Sequence, residues 1–434
     1  MAFSTFSHTI DYRKRRFLVW FPLGLTYATL YMGRYNLNVA SKTMMDMFSL
    51  SKEQFGIIGT AGFWTYALSV IINGPLSDRI GGKKAILIGA CGAAALNLLI
   101  GLLFLNGWQT KLLVGMSLLY AVNCYFQSFG AVSIVKINAA WFHVRERGVF
   151  GGIFGIMISS GYFLAMTVGG WIMSHMSWYF VFIIPSICMA LMAAVDYFFV
   201  ENTPSQAGLL DFHTGDASAD DADRNKPVDF AFVLNRILRN KVILILAVSE
   251  FCTGFVRQGL MFWFVAFLAE RHAVHHGDTL FTVATLGVTF GGIIGGLICG
   301  FMSDRLFGSR RPPVALIFYL AQVAALLMLG YAKSPLMASL LIGFCCVWIF
   351  GVHGMLSGAA SMDFGGSKGA STAAGLLDGV QYVASGISAI LLGKLLDTCG
   401  WGIWVWTLIP FSLAGAVLMR TLWHETPLKN SAAH

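Results

Sequence analysis

The sequence predicts an all-α membrane protein of twelve transmembrane helices in two pseudo-symmetric six-helix bundles. Three observations carry this: a composition too apolar for a water-facing surface, about twelve apolar runs of membrane length, and an internal repeat relating the two halves of the chain. Of 434 residues, 57% are hydrophobic and 12% charged, and the mean hydropathy is +0.70. A soluble chain of this size needs polar side chains over most of its surface. Here the bulk solvent is lipid.

A helix of about 20 apolar residues crosses the ~30 Å hydrocarbon layer with every backbone group bonded internally. Such spans are expected near 17–40, 56–76, 85–106, 112–138, 149–173, 178–200, 242–268, 280–302, 314–332, 335–358, 370–396 and 401–423. Span 1 follows the basic run Arg13, Lys14, Arg15 and Arg16. It leads into further spans without a small-residue cleavage site and so reads as a retained helix, not a secretory leader. Most of the 29 Lys and Arg fall in loops on the side of the N-terminus. That asymmetry implies an even span count with both termini cytoplasmic, in a bacterial inner membrane. The formal charge of +8 then reflects orientation in the membrane and not affinity for nucleic acid. The eight Cys lie mostly inside spans without metal-ligand spacing, so they read as small packing residues, and neither metal nor cofactor is expected.

The most polar stretch, Glu201 to Lys241, contains Asp216, Asp220, Asp221, Asp223, Arg224 and Lys226 and suits a cytosolic linker. The expected division is an N-terminal bundle at 1–200, a linker at 201–240 and a C-terminal bundle at 241–434. One fixed offset of 223 residues matches Arg34 with Arg257, Gly152 with Gly375, Trp178 with Trp401, and Glu201 to Pro204 with His424 to Pro427. A single register of this kind marks a duplicated unit. At nearly the same offset, Gly74-Pro75-Leu76-Ser77-Asp78-Arg79 ends span 2 and Gly300-Phe301-Met302-Ser303-Asp304-Arg305 ends span 8. In each string the Gly is expected to let two helices approach, while Asp and Arg occupy a tight cytosolic turn and act as a conformational-switch loop.

Charges inside spans are the functional candidates. An Arg at bilayer depth costs about 2.5–3.5 kcal/mol on the mildest scale and is kept where it meets a cavity or a partner. Arg34 and Arg257 lie at matched depths in opposite halves, and each offers five donors in a planar fork suited to phosphate or carboxylate oxygens. Tyr27 and Tyr31 share the helix face of Arg34, spaced by four and three. Glu250 is seven residues before Arg257, too far along the axis to pair directly. Glu250 and Asp378 are the deepest acids of the second half and are candidates for coupling or gating, as are His353 and Lys136; each has a structural alternative, namely ion pairing, packing or snorkelling. No pair of acids, or of His and Glu, recurs at ligand spacing within a span, which excludes an intramembrane enzyme. Gly81-Gly82-Lys83-Lys84 is not a nucleotide-binding loop.

The string Gly-x-Leu-x-Asp-Arg-x-Gly-x-Lys-Lys from Gly74 to Lys84, echoed after span 8, resembles the signature of the major facilitator superfamily. That resemblance covers the whole chain and implies two bundles alternating access to a central cavity. Four segments further resemble the organophosphate:phosphate antiporter family: Tyr31-Met32-Gly33-Arg34; Trp141 to Gly148; Val256-Arg257-Gln258-Gly259 with Trp263; and Ser371 to Gly375 leading to Tyr382 and Gly400-Trp401. By that resemblance Arg34 and Arg257 fall on paired phosphate-binding arginines, and Tyr27, Tyr31, Tyr66 and Tyr382 on tyrosines lining the same cavity. The chain departs from the family at Val70, where a Lys is common, and at Ile158, where the glycerol-phosphate transporters carry a His. Both changes remove positive charge from the site.

The expected function is secondary transport of a small organic anion, a phosphate ester exchanged for inorganic phosphate. Symport of an organic carboxylate with a proton and sensing of an external sugar phosphate remain alternatives. The expected partners are the anion, inorganic phosphate or a proton as coupling species, and membrane lipid, with the protein a monomer.

Overall fold

Helix ends fall where the chain supplies caps. At the start of span 2 the Ser51 hydroxyl accepts from Gln54 N at 3.1 Å, and the Gln54 side chain accepts from Ser51 N at 3.0 Å, a reciprocal box. Asn240 opens span 7 by accepting from Val242 N at 3.0 Å, and Ser334 opens span 10 by accepting from Met337 N at 3.2 Å. Between spans 2 and 3 the whole turn is Gly81, at φ +88°, a value that disfavours any side chain.

The computed structural model describes residues 9–143, 146–211, 239–308 and 310–425, without the side chains of 147–154 and 358–374. Span 1 is Ile10–Val39, followed by a short helix at Ser41–Phe48. Spans 2 and 3 are Lys52–Ile80 and Gly82–Leu105. Span 4 is Leu112–Gln127 continued by Phe129–Trp141. Span 5 is Arg147–Tyr162, a π-helical stretch Phe163–Val168, and Gly169–His175. Span 6 is Phe180–Phe199. Spans 7 to 9 are Lys241–His272, Thr279–Phe301 with a π-helical end Met302–Leu306, and Arg311–Gly330. Span 10 is Pro335–His353 with a π-helical end Gly354–Ala360, span 11 is Ser361–Cys399, and span 12 is Trp404–Thr421.

Among the described residues, 11 helices are long and apolar enough to cross a membrane by length and composition. Span 1 is the exception. Its 30 residues reach about 45 Å, but its second half carries Tyr27, Tyr31, Arg34, Tyr35, Asn36 and Asn38, all buried against protein. Span 7 is similarly enclosed: 94% of its apolar window is buried, against 39% for spans 6, 8 and 12. Spans 1 and 7 are therefore the inner helices, screened from lipid by the others.

Packing follows the repeat. Within the first half span 1 packs on spans 5 and 6, span 2 on 4, and span 3 on 4 and 6; adding six to each number gives the pairs of the second half. Between halves, spans 2 and 11 pair, as do spans 8 and 5, which the same operation interchanges. Asn38 Nδ2 donates to the Met261 carbonyl at 3.1 Å, across 223 residues. A residue touching its own repeat mate lies on the two-fold axis, so the pseudo-axis passes between spans 1 and 7.

The switch-loop glycines differ from expectation. A Cβ at Gly74 or Gly300 would meet nothing within 4 Å, so in this conformation neither brings helices together. Close approaches occur at other glycines: a Cβ on Gly56 would strike the Ala389 carbonyl, one on Gly393 the Lys52 carbonyl and one on Gly295 the Val347 carbonyl. The polar linker residues Asp216 to Lys226, together with Val144, Arg145, Thr426 and Pro427, lie outside the described residues, as do the side chains of Gly152, Asp363, Lys368 and Ser371 to Ala374.

On the face away from the N-terminus the halves are tied by polar contacts. Glu270 takes Lys52 at 3.1 Å and Lys42 at 3.6 Å, and Trp401 Nε1 donates to it at 2.9 Å. Asp397 caps span 2, accepting from the backbone N of Lys52 at 3.0 Å and of Glu53 at 2.8 Å. His276 Nε2 lies 3.0 Å from the Val39 carbonyl. Because a carbonyl only accepts, Nε2 carries the proton. Burial pushes this imidazole down to about 4.

Two outcomes follow for spin labels placed on the exposed Met47 and Leu336. Glu270→Gln should lengthen the distance between them by populating a state opened at this face. Acidification should do the same: the neutral ring favours the closed face fully above the ordinary His value of about 6.5, and that preference is lost as pH falls from there toward the lowered value. His276→Gln should abolish the acid response; its persistence would locate the sensor elsewhere.

Candidate functional site

Spans 1 and 7 bring the two arginines to the pseudo-axis. Arg34 is 0% exposed and Arg257 1%, and both meet Tyr382 of span 11. The Tyr382 hydroxyl accepts from Arg34 Nη1 at 2.9 Å, and its ring centre lies 5.6 Å from Arg257 Cζ. The rings of Tyr31 and Tyr66 flank Arg34 at 4.8 and 4.6 Å, and Tyr66 packs on Tyr382 at 4.2 Å. Aromatic faces attract a desolvated guanidinium by about 2 kcal/mol. Tyr27 lies one turn further off, with its ring 5.1 Å from Tyr31.

Arg257 is held by Gln381, whose Oε1 accepts from Nη2 at 3.0 Å, and by Tyr162 of span 5, whose hydroxyl accepts from Nη1 at 3.4 Å. The arrangement is reciprocal. Arg34 of the first half is bonded by a tyrosine of the second, and Arg257 of the second by a tyrosine of the first. Both tyrosines stand on spans the repeat interchanges. The Tyr162 hydroxyl also lies 3.3 Å from that of Tyr35.

Below Arg34 the backbone is pinned. Tyr120 donates to the Arg34 carbonyl at 3.0 Å and Asn123 to the Gly33 carbonyl at 3.2 Å. Asn97 donates to Asn123 at 3.0 Å and accepts from Asn36 at 2.6 Å. Buried amides bonded to one another fix the helix at this height.

Donors remain free. Among the described residues Arg34 Nε and Nη2 and Arg257 Nε have no hydrogen-bond partner, and no ion pair involves either arginine. Nε and Nη2 form the guanidinium edge that meets two oxygens of a carboxylate or phosphate side by side. A buried cation left unpaired is costly. An anion brought to this edge would offset that cost.

Of the other candidates, Glu250 is fully buried and 3.9 Å from His353, and Asp378 is half-buried one turn before Tyr382. Lys136 is not in the cluster; it pairs at 2.6 Å with Asp78, and the two side chains are 44% and 65% exposed. Its long stem carries the ammonium out to the membrane boundary. Arg79 is exposed, Asp304 pairs with Arg311 at 3.1 Å, and Arg305 lies over Phe301. Val70 is buried and Ile158 half-buried, so neither position supplies a charge. Sequence reasoning missed Tyr35, Tyr162, Gln381, Tyr120, Asn97 and Asn123. Tyr35 continues the Tyr27 and Tyr31 face at a spacing of four, and Gln381 adjoins Tyr382; the others carry no local signal.

A bundle of membrane-length helices with two buried guanidinium groups on its internal axis, neither in an ion pair among the described residues, has the architecture of a membrane carrier. Residues 23–389 match the model of the Major Facilitator Superfamily, and the chain belongs to that family. It is a membrane transport protein and not an enzyme. It is 27% identical over 428 residues to the glycerol-3-phosphate transporter of Bacillus subtilis (strain 168), covering 95% of this chain and 93% of the relative. It is 23% identical to a probable hexose phosphate transport protein of Chlamydia pneumoniae (96% and 92% covered) and 25% identical to the membrane sensor protein UhpC of Escherichia coli (strain K12) (96% and 94%). These relatives support the organophosphate:phosphate antiporter branch. A bacterial homologue of the human lysosomal transporter Spinster, solved inward-facing and occupied, shares the fold with a TM-score of 0.70 at 15% identity, over 96% of this chain and 98% of that one.

Gly254 sets the spacing of spans 7 and 11: a Cβ there would run into the carbonyl of Gln381. Gly254→Ala should displace Gln381 from Arg257 and cost about 1–3 kcal/mol by overpacking. Gly74→Ala, with open space around it, should leave thermal stability unchanged or slightly raised. Equal melting temperatures for the two variants would contradict this packing account.

Proposed function

We propose that this protein moves a small phosphate ester across a bacterial inner membrane by alternating access, in exchange for inorganic phosphate, with Arg34 and Arg257 as the anion ligands. One observation carries the reading: the two arginines, one from each half, converge on Tyr382 while the bidentate edge of Arg34 stays unpaired. Ligands drawn from both halves let one anion bridge them, so its binding biases the rocking of one half against the other. Tyr31, Tyr66 and Tyr382 shape the site, and Tyr27 lies at its edge. The phosphate-ester class is supported by the names of the relatives. Both termini are assigned to the cytoplasm and the protein acts as a monomer.

With Val70 and Ile158 uncharged and Lys136 paired with Asp78 away from the cluster, the two arginines are the permanent positive charges proposed for the site. A singly charged phosphate ester is therefore favoured over a fully ionised one.

Purified protein in liposomes loaded with inorganic phosphate should take up labelled glycerol 3-phosphate or phosphate by exchange. Arg34→Ala or Arg257→Ala should lower affinity about 10- to 100-fold, the worth of a charge-assisted hydrogen bond to a buried anion. Lys at either position should restore little, because it lacks the planar fork. Uptake that survives both substitutions would overturn the proposal. Exchange of carboxylates but not of phosphates would assign a different anion, and binding without flux would indicate a sensor.

A further inference from the structure

We infer that Glu250 and His353 form a proton-binding site, linked through Gln381 to Arg257, which makes anion binding depend on uptake of a proton. This rests on the reading of Arg257 as an anion ligand and names the coupling species for that site.

Hydrogen-bond polarity fixes the orientation of the Gln381 amide. Arg257 can only donate, so the Gln381 atom 3.0 Å from its Nη2 is the carbonyl oxygen. The amide nitrogen of Gln381 then faces His353 Nδ1, at 2.6 Å. Since that nitrogen donates, Nδ1 accepts, and the proton of a neutral ring resides on Nε2. Glu250 Oε2 stands 3.9 Å from the same Nδ1. Glu250 is 0% exposed and makes no hydrogen bond of ordinary length, the Gln381 side chain acting on it only as a longer one. Two acceptors thus face each other, one fully buried and one partly exposed, and one proton between them would join both.

The groups facing the pair come from four spans. Arg257, on the same span as Glu250, acts electrostatically on both members, and Asp378 of span 11 acts on Glu250. Asp378 in turn feels Arg257 and Arg34. Tyr319 of span 9 is committed, lying 2.6 Å from the Thr253 hydroxyl and donating to the Ser249 carbonyl at 2.9 Å. His353 keeps 23% side-chain exposure, the access a proton needs.

Coupling follows from the same polarity. A proton taken from water onto His353 Nδ1 forms an N–H bond and turns the acceptor into a donor that faces Glu250. The Gln381 N–H can no longer donate to it, so the amide rotates and its carbonyl leaves Arg257. Nη2 is released beside the already free Nε, completing on Arg257 the bidentate edge that Arg34 already presents. The incoming anion takes the place of the Gln381 carbonyl.

The test counts protons. Calorimetry of inorganic phosphate binding in buffers of different ionisation enthalpy gives the protons absorbed per phosphate; phosphate's own titration contributes equally to every variant. Wild type should absorb more protons than Glu250→Gln or His353→Asn. Relative to those variants its affinity should fall up to about tenfold per pH unit above neutrality, as linkage to one proton requires. Equal counts in all three proteins would overturn the coupling. Failure of phosphate to bind wild type would reject the anion reading instead, and the pair can then be read without any anion. A protonation-sensitive imidazole signal, read by infrared difference or nitrogen resonance, that vanishes in His353→Asn and moves to lower pH in Glu250→Gln supports the site; the absence of any titrating imidazole signal lost in His353→Asn rejects it.

Discussion

Two guanidinium groups buried at the axis of a lipid-solvated bundle are the constraint on which the rest of this structure depends. Neither can be neutralised by losing a proton, so each must be solvated by protein. Aromatic rings and neutral acceptors do this: Tyr31, Tyr66 and Tyr382 around Arg34, and Tyr162, Gln381 and Tyr382 around Arg257. Such partners stabilise a cation without cancelling it. The charge stays available to an anion, which a salt bridge within the site would have prevented.

The same constraint explains why spans 1 and 7 are the least lipid-like helices. A span that presents arginine, asparagine and tyrosine needs neighbours on every side, and spans 5, 6, 11 and 12 supply them. Asn36, Asn97 and Asn123 bond to one another in place of water, fixing the height of Arg34. The contacts that close the face away from the N-terminus are of another kind. Glu270 is reached by two lysines at partly exposed positions, where ion pairs are weak and reversible. Buried amides thus stiffen the first half, while the contacts that join the halves at this face include weak, partly exposed ion pairs. That division suits a molecule whose halves must separate at one face and meet at the other.

The fold was largely legible in the chain. Apolar run length located the spans because lipid leaves a backbone no alternative to helix. Span 1 was expected as an apolar run at 17–40 like the others, yet it falls short of the apolar character of the other 11 spans, since its second half faces protein and carries polar side chains. The glycines of the Asp-Arg strings were misread as points of close approach, because a glycine in a helix signals such approach only when another backbone arrives opposite it. Gly56, Gly254 and Gly393, with nothing conspicuous around them, are among the places where that happens.

By itself, the sequence determined the solvent, the helix count, the repeat and the identity of the two arginines, since these follow from composition, length and a constant register along one chain. Tertiary structure alone decided how the arginines are held. Tyr162 and Gln381 reach Arg257, and Tyr382 reaches Arg34, from spans far away in sequence. The chain of Glu250, His353, Gln381 and Arg257 runs through three different spans. Such contacts depend on the relative rotation and height of packed helices, quantities that no spacing within a single helix encodes.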